Sequence, residues 1–337
     1  MSGAGRVRVA VLGAAHPHVA YALDEVARRP ELDLVAAAEP DPAMRARFLD
    51  GLTVPVYAKP GDLLARHEVD VAVVAGVYTQ RAEAVVAALD AGAHVLADKP
   101  LCTDRAQLDA ITTAAARTRR HVSVMFEKRF YPATRAVRRL LDDGVLGALV
   151  LVASTGPHKL DQSARPEWFL RRDGYGSIAA DLPVHDIDLV LALSGATSGS
   201  VSALTGNGRA ADHSDFDDHV ALLLRAGAVT ATIEANWLSP EAADVHGHYR
   251  MRLTGTEGTA ELDWAYDSLT VATHTRRSWS EPLDATPVRP ARYFFDALHR
   301  GVEPEITTEA SLLATQVAIA AGESAGATGA TVDWGLT

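Results

Sequence analysis

The sequence predicts an α/β protein in two parts: an N-terminal doubly wound parallel sheet over residues 1–125, then an α+β domain over residues 126–337 with a large, mostly antiparallel open sheet. Three observations carry this expectation. In the first part short apolar runs alternate with helix-period segments, the rhythm of repeated strand–helix–strand units. In the second, β-rich runs follow one another with few helices between them. At 337 residues the chain is long enough for each part to bury its own core.

The first-part strands are expected at "RVRVAVLG" (6–13), "LDLVAAAE" (32–39), "DVAVVAG" (70–76), "HVLAD" (94–98) and "HVSVMF" (121–126). Most are unbroken apolar runs, which suits parallel strands covered on both faces. The segments "VAYALDEVARR", "RAEAVVAALDAG" and "RAQLDAITTAAARTRR" carry the helix period, and Gly92 stops the second of them. Further strands are expected at "GALVLVAST" (147–155), "GSVSAL" (199–204), "DHVALLLRAGAVTATIEANW" (218–237), "YRMRLTG" (249–255) and "GTAELDW" (258–264). Ala226-Gly227-Ala228 folds the long run into a hairpin, and helices are expected near 132–143, 182–193 and 305–325. There is no internal repeat and no disordered linker.

Composition narrows the function classes. Lys and Arg number 32 against 43 Asp and Glu, a formal charge of −11, which repels phosphate backbones and anionic lipid and argues against nucleic acid or membrane as partner. Cys102 is the only cysteine, so an intramolecular disulfide framework and a cysteine-built metal site are excluded. The opening "MSGAGRVRVAVLGAAHPH" is broken by Arg6 and Arg8 and reads as a first strand rather than a signal peptide. No window approaches the roughly 20 apolar residues that span a bilayer, so a cytoplasmic protein is expected.

Four constellations could carry chemistry. The turn "GAAHPH", Gly13 to His18, leaves the first strand and enters a helix, with Pro17 suited to its first turn. Of the dinucleotide fingerprint G-x-G-x-x-G only Gly13 is in place, Ala15 and His18 standing at the other two glycine positions. Free N–H groups there would hold a pyrophosphate, with His16 or His18 as an added donor; the alternative is that His16 caps the helix and His18 packs on its neighbour. Glu39 lies 21 residues after the turn, where an acid gripping the adenosine ribose hydroxyls belongs, and the absence of an adjacent Arg or Lys favours NAD over NADP. Its alternative is a solvated acid in a "PDP" turn.

Lys99, in "HVLADKPLCTD", stands at the end of a buried strand and would face a ligand crevice, where lost solvation lowers a lysine's proton affinity toward neutrality. A lysine merely snorkelling to water is the competing reading. Asp181 and His185, in "GYGSIAADLPVHDIDLVLALSG", share a face if a helix has begun by Asp181, and a carboxylate beside an imidazole suits acid–base work. Asp181 could instead be only the cap of a helix with Pro183 in its first turn.

Taken together and in order, the degenerate glycine turn, "DKP", "RFYP", a glycine-rich turn leading to D-x-x-x-H, and "YRMRLTGTEGTAELDW" resemble the GFO/IDH/MocA family of glucose-fructose oxidoreductase and inositol dehydrogenase relatives. The likeness runs over nearly the whole chain and implies a Rossmann-type N-terminal domain with a substrate-binding and oligomerisation domain behind it. It implies that Lys99 contacts both the nicotinamide ribose and the reacting hydroxyl, and that its peptide to Pro100 is commonly cis. It implies that His185 is the acid–base partner, that Asp181 positions it or binds a neighbouring hydroxyl, and that Arg129 lines the nicotinamide side. Gly13, His16, Pro17, His18, Glu39, Tyr78, Asp98, Lys99 and Arg129 form the expected cofactor-binding set. Asp98 departs from the family's glutamate by one methylene, so any contact it makes to cofactor is longer or lost.

The resemblance thus implies an NAD-dependent oxidoreductase acting on a sugar, cyclitol or related polyol, with Lys99 and His185 converging on one substrate carbon. His185 or Lys99 takes the hydroxyl proton in oxidation and returns it in reduction. Trp168, Trp237, His158 and His246 are candidate substrate-wall residues. Two other readings stay open: an enzyme using bound NAD to assist glycoside cleavage, and a non-catalytic dinucleotide-binding regulator. No metal is expected, since the resemblance supplies none and the acidic loop "ADHSDFDDH" (211–219) reads as a solvated hairpin approach. A homodimer or homotetramer is expected, one face of the open sheet being left to a second copy.

Overall fold

The computed structural model describes residues 6–210, 212–286 and 288–335. Strands are β1 Val7–Ala14, β2 Leu32–Ala38, β3 Val56–Tyr57, β4 Val71–Ala75, β5 His94–Ala97, β6 Val122–Val124, β7 Leu149–Pro157, β8 Ser198–Gly206, β9 His219–Ala226, β10 Val229–Asn236, β11 Arg250–Gly255, β12 Gly258–Asp263, β13 Ser268–Thr273, β14 Trp279–Ser280 and β15 Val332–Gly335. Helices are α1 Val19–Arg28, α2 Pro42–Phe48, α3 Pro60–Leu64, α4 Arg81–Asp90, α5 Arg105–Thr118, α6 Pro132–Asp142, α7 Arg172–Tyr175, α8 Ile178–Asp181, α9 Val184–Ser194, α10 Arg292–Arg300 and α11 Thr308–Gly326. The chain divides into two compact units, one of Met1–Phe126, Asp173–Gly176 and Arg289–Thr315, the other of Glu127–Arg172, Ser177–Val288 and Gln316–Thr337.

The first unit holds the expected parallel sheet, six strands in the order β3-β2-β1-β4-β5-β6. Its strands are buried on both faces because the sequence offers no polar alternation: Val9, Val11, Val73 and Leu96 are all buried, and Phe294, Phe295 and Leu298 of α10 join their cluster. Strand order reverses between β1 and β4, and such a switch point opens a crevice at the strands' carboxyl ends. Helix starts follow local chemistry. Asp41 caps α2 by accepting from the Ala43 and Met44 N–H groups, and Asp104 caps α5 through the Gln107 N–H. Cys102 is a free, buried thiol, and burial pushes it up to about 12.

The second unit is a nine-stranded sheet ordered β14-β13-β12-β11-β7-β10-β9-β8-β15. Every neighbouring pair is antiparallel save β7 with β10. The hairpin turn is as expected: Ala226 pairs Val229, and Gly227 takes φ +59°, which glycine adopts without strain. Alternation sorts the faces, with Val220, Leu222 and Leu224 of β9 buried and Ala221, Leu223 and Arg225 exposed. The helix α9 packs on β7, β9 and β10, and α6 on β12 and β13.

The periodicity did not mark β3, β13, β14, β15, α2, α3 or α10. Strands of two residues carry no period, and β13, paired to β12 on one side and to the two-residue β14 on the other, keeps only part of its side chains inside. No helix among the described residues is long and apolar enough to cross a membrane.

Candidate active site

In the first unit the site is built on three strand ends. Gly13, next to last in β1, has φ +89°, and a Cβ there would lie 2.6 Å from the Cα of Gly76 just beyond β4. Only glycine permits that approach of two backbones at the switch point. Glu39 follows β2 directly and is 2% exposed, so it is no solvated turn acid. One of its carboxylate oxygens accepts the Ala14 N–H at 2.5 Å and the other the Asp41 N–H at 2.9 Å. Burial raises its proton affinity and the two N–H donors oppose that. A cavity of about 810 Å³ lies here, lined by Gly13, Glu39, Pro40, Lys59 and Gln80 among others.

The third strand end is a charge hub. Asp98, wholly buried after β5, receives His16 Nδ1 at 2.9 Å and His18 Nδ1 at 2.8 Å, the Lys99 N–H at 2.8 Å, and Arg81 Nη2 at 2.9 Å. Burial alone would push this carboxyl up; His16, His18 and Arg81 overrule it and hold it well below the usual carboxylate range. Burial drives His16 down to about 3 despite the pull of Asp98, so His16 stays neutral near pH 7. Arg81, first residue of α4, also donates to the carbonyls of Gly76 and Pro100, and its guanidinium lies 4.4 Å over the buried ring of Tyr78. Lys99 is 5% exposed and joined to Pro100 by a cis peptide.

His18 is the N-cap of α1 and makes no side-chain cap bond, while Pro17 precedes it. The first turn is held by backbone bonds from Val19 to His16 and from Ala20 to Pro17.

His16, His18 and Asp98 each offer a donor atom within 4.8 Å of the others, a spacing a metal ion could use. Arg81 already supplies the balancing positive charge on that carboxylate, and a metal cation would sit against the guanidinium, so the cluster is read as a hydrogen-bonded hub. Ala211 of the acidic loop lies outside the described residues. Within the rest of that loop Asp218 is spent on structure: it accepts from the N–H groups of Gly208, Arg209 and Ala210 and meets His219 Nδ1 at 2.7 Å.

In the second unit Asp181 and His185 lie on successive helices rather than one. Asp181 ends α8, Pro183 caps α9, and His185 is the second residue of α9. Proline has no N–H for a continuing helix, so the ladder breaks there. The conditional one-helix geometry is therefore corrected, and so is Asp181 as the cap of the helix with Pro183 in its first turn: Pro183 itself holds the N-cap position of α9. Asp181 is wholly buried and His185 is 3% exposed. Arg129 is committed to Asp188 by two bonds of 2.6 and 2.5 Å. Of the expected wall residues, His158 lies 5.3 Å from the ring of Trp237, 5.5 Å from that of His246 and 4.6 Å from that of Tyr249. Trp168 packs on Phe169, and Arg165 lies over the rings of both Phe169 and Trp237.

Sequence reasoning missed Arg81, and also Glu127, Lys128, Asp186 and Asp188. Their signal was available: "EKRF" (127–130) follows an apolar strand, and "HDID" (185–188) interrupts a buried helix, so both needed partners.

A parallel sheet with a glycine pair at its switch point, a buried acid after β2 and a lysine after β5 define a dinucleotide-binding oxidoreductase fold. Family models agree: one described as "Oxidoreductase family, NAD-binding Rossmann fold" matches residues 7–126, and one described as "GFO/IDH/MocA C-terminal domain" matches residues 134–261. The chain belongs to the GFO/IDH/MocA oxidoreductase family. It is 31% identical over 76% of its length, and 75% of the relative's, to an Amycolatopsis mediterranei protein provisionally named the oxidoreductase subunit of UDP-kanosamine synthase. It is 24% identical over 75% of its length to the scyllo-inositol 2-dehydrogenase (NAD(+)) of Bacillus subtilis, covering 73% of that protein. Among solved structures, levoglucosan dehydrogenase in complex with NADH and levoglucosan superposes with a TM-score of 0.82 at 20% identity, covering 98% of this chain and 99% of that one.

Proposed function

We propose that the protein is an NAD-dependent oxidoreductase that moves a hydride between nicotinamide and a carbinol or carbonyl carbon of a sugar, cyclitol or related polyol. The observation that carries this reading is Lys99: an ammonium held 5% exposed at the end of a parallel strand, directly after a four-donor carboxylate hub, where such sheets open their ligand crevice. The inositol and levoglucosan dehydrogenases among its relatives favour a polyhydroxylated substrate.

The residues present fit a dinucleotide. The Gly13–Gly76 approach keeps side chains out of its path, and Glu39 retains lone pairs for ribose hydroxyls. A carboxylate there repels a 2′-phosphate, which favours NAD over NADP. When bound, NAD supplies the hydride-accepting carbon. Lys99 holds and polarises the reacting oxygen, His185 takes the hydroxyl proton in oxidation and returns it in reduction, and Asp181 holds a neighbouring hydroxyl. In this reading Asp98 acts through His16, His18 and Arg81 rather than by touching the cofactor, Arg129 acts through Asp188, and Tyr78 backs Arg81.

The reading includes self-association as a homodimer or homotetramer through the open sheet face, on which Leu151, Leu204 and Leu223 stand 49%, 61% and 53% exposed. A cytoplasmic setting suits the single buried thiol. Fluorescence titration with NADH and NADPH, followed by a polyol panel with the tighter cofactor, tests the function. Tighter NADH binding and NADH formation from at least one polyol are expected; binding of neither nucleotide would defeat the proposal.

A further inference from the structure

Three acid–base pairs join the turn at residues 127–130 to the start of α9, all inside the second unit. Lys128 Nζ meets both oxygens of Asp186 at 3.0 Å, and Arg129 meets Asp188 at 2.6 and 2.5 Å. The remaining pair is Glu127 Oε1 with His185 Nε2 at 3.4 Å, the histidine side chain 3% and the glutamate 10% exposed. The first two pairs each join a lysine or arginine to an aspartate. The third joins a glutamate to the histidine that the reading above gives the substrate proton.

We propose that Glu127 is the positioning carboxylate of His185: it fixes the ring so that the opposite nitrogen exchanges the substrate proton, and it stabilises the imidazolium that results. This deepens the dehydrogenase reading above and rests on it. In oxidation the hydroxyl proton passes to that nitrogen and the carbon's hydride to NAD⁺. The products are a carbonyl, NADH and an imidazolium paired with Glu127, which then loses its proton to solvent. A partly desolvated carboxylate so close favours the charged imidazole.

The other charged and titratable groups around the pair leave this effect standing. Lys128 and Asp186 compensate one another, as do Arg129 and Asp188. The Tyr249 hydroxyl stays neutral, because burial, Glu127 and Asp186 all push it up. Asp181 at the end of α8 is a further acid, wholly buried four positions before His185 in the chain.

The test combines a histidine-labelled NMR titration with the pH dependence of kcat/KM on a polyol substrate, for the wild type, Glu127→Gln and Glu127→Asp. In Glu127→Gln the His185 midpoint is expected to fall by about one to two pH units. The acid limb of kcat/KM for oxidation moves down with it, and kcat drops about tenfold or more while KM holds. Glu127→Asp, which keeps the charge on a shorter arm, gives a smaller fall and partial recovery of kcat, and it carries the titration should the Gln variant not fold. An unchanged His185 midpoint in the folded variants overturns the proposal. So does a midpoint that falls while the kinetic limb stays put. If the wild type turns over no polyol, the dehydrogenase reading fails, and the NMR comparison still decides whether Glu127 governs His185.

Discussion

Arg81 and Asp98 meet at 2.9 Å with both side chains fully buried, and the same arginine binds the carbonyls of Gly76 and Pro100. One guanidinium therefore ties the end of β4 to the end of β5. Removing it strands a buried carboxylate on two imidazoles. Arg81→Met is expected to lower unfolding free energy by about 3–5 kcal/mol, the usual cost of breaking a buried pair from one side. Urea unfolding measures it; a loss below about 1 kcal/mol would mean that His16 and His18 suffice.

Gly13→Ala tests the switch point. The added Cβ combines a left-handed φ of +89° with a contact of 2.6 Å to the Gly76 backbone. Strain alone is expected to cost about 1–3 kcal/mol, and NADH affinity should fall with it. Thermal unfolding together with NADH titration checks both; wild-type values in each would show that the two backbones part easily.

Lys99→Ala separates chemistry from folding. Asp98 keeps all four donors in that variant, the one from position 99 being a backbone N–H, so the melting curve should remain near that of the wild type. Turnover of a polyol substrate is expected to fall by about 10²–10⁴-fold, the range for losing a group that handles the reacting proton and oxygen. Steady-state kinetics decide it, and near-normal kcat would remove Lys99 from the reaction.

His94 gives a pH dependence of stability. Its Nδ1 accepts the His121 N–H at 3.0 Å, a bond only the unprotonated nitrogen can make, and burial, then His121 and Arg120, bring it down to about 4. The unfolded chain's imidazole titrates near 6.5. Between those values the unfolded chain binds more protons, so the contribution of neutral His94 is complete above about pH 6.5 and fades as pH falls toward 4. His94→Asn, whose amide oxygen can accept the same bond, should flatten the stability curve over that interval; parallel curves for the two proteins would refute the assignment.

The strand ends were legible in the sequence because they rest on local chemistry. A glycine after an apolar run, an acid after the second run and a lysine after the fourth mark Gly13, Glu39 and Lys99 without knowledge of the fold. Arg81 was not, since an arginine opening an amphipathic helix reads as solvated until β4 and β5 close over it. Glu127 and Asp186 were half-legible: a charge inside an apolar segment announces that a partner exists and does not say which. Pro183 could have warned that Asp181 and His185 lie on two helices. The edge strands β14 and β15 owe their pairing to neighbours rather than to pattern.

The lone sulfhydryl at position 102, 0% exposed and unready to ionise, has a practical corollary. Maleimide dyes should pass the native protein by. A cysteine introduced at an exposed position such as Ser163 would then be the sole attachment point for a fluorophore or spin label, with no need to strip the background first.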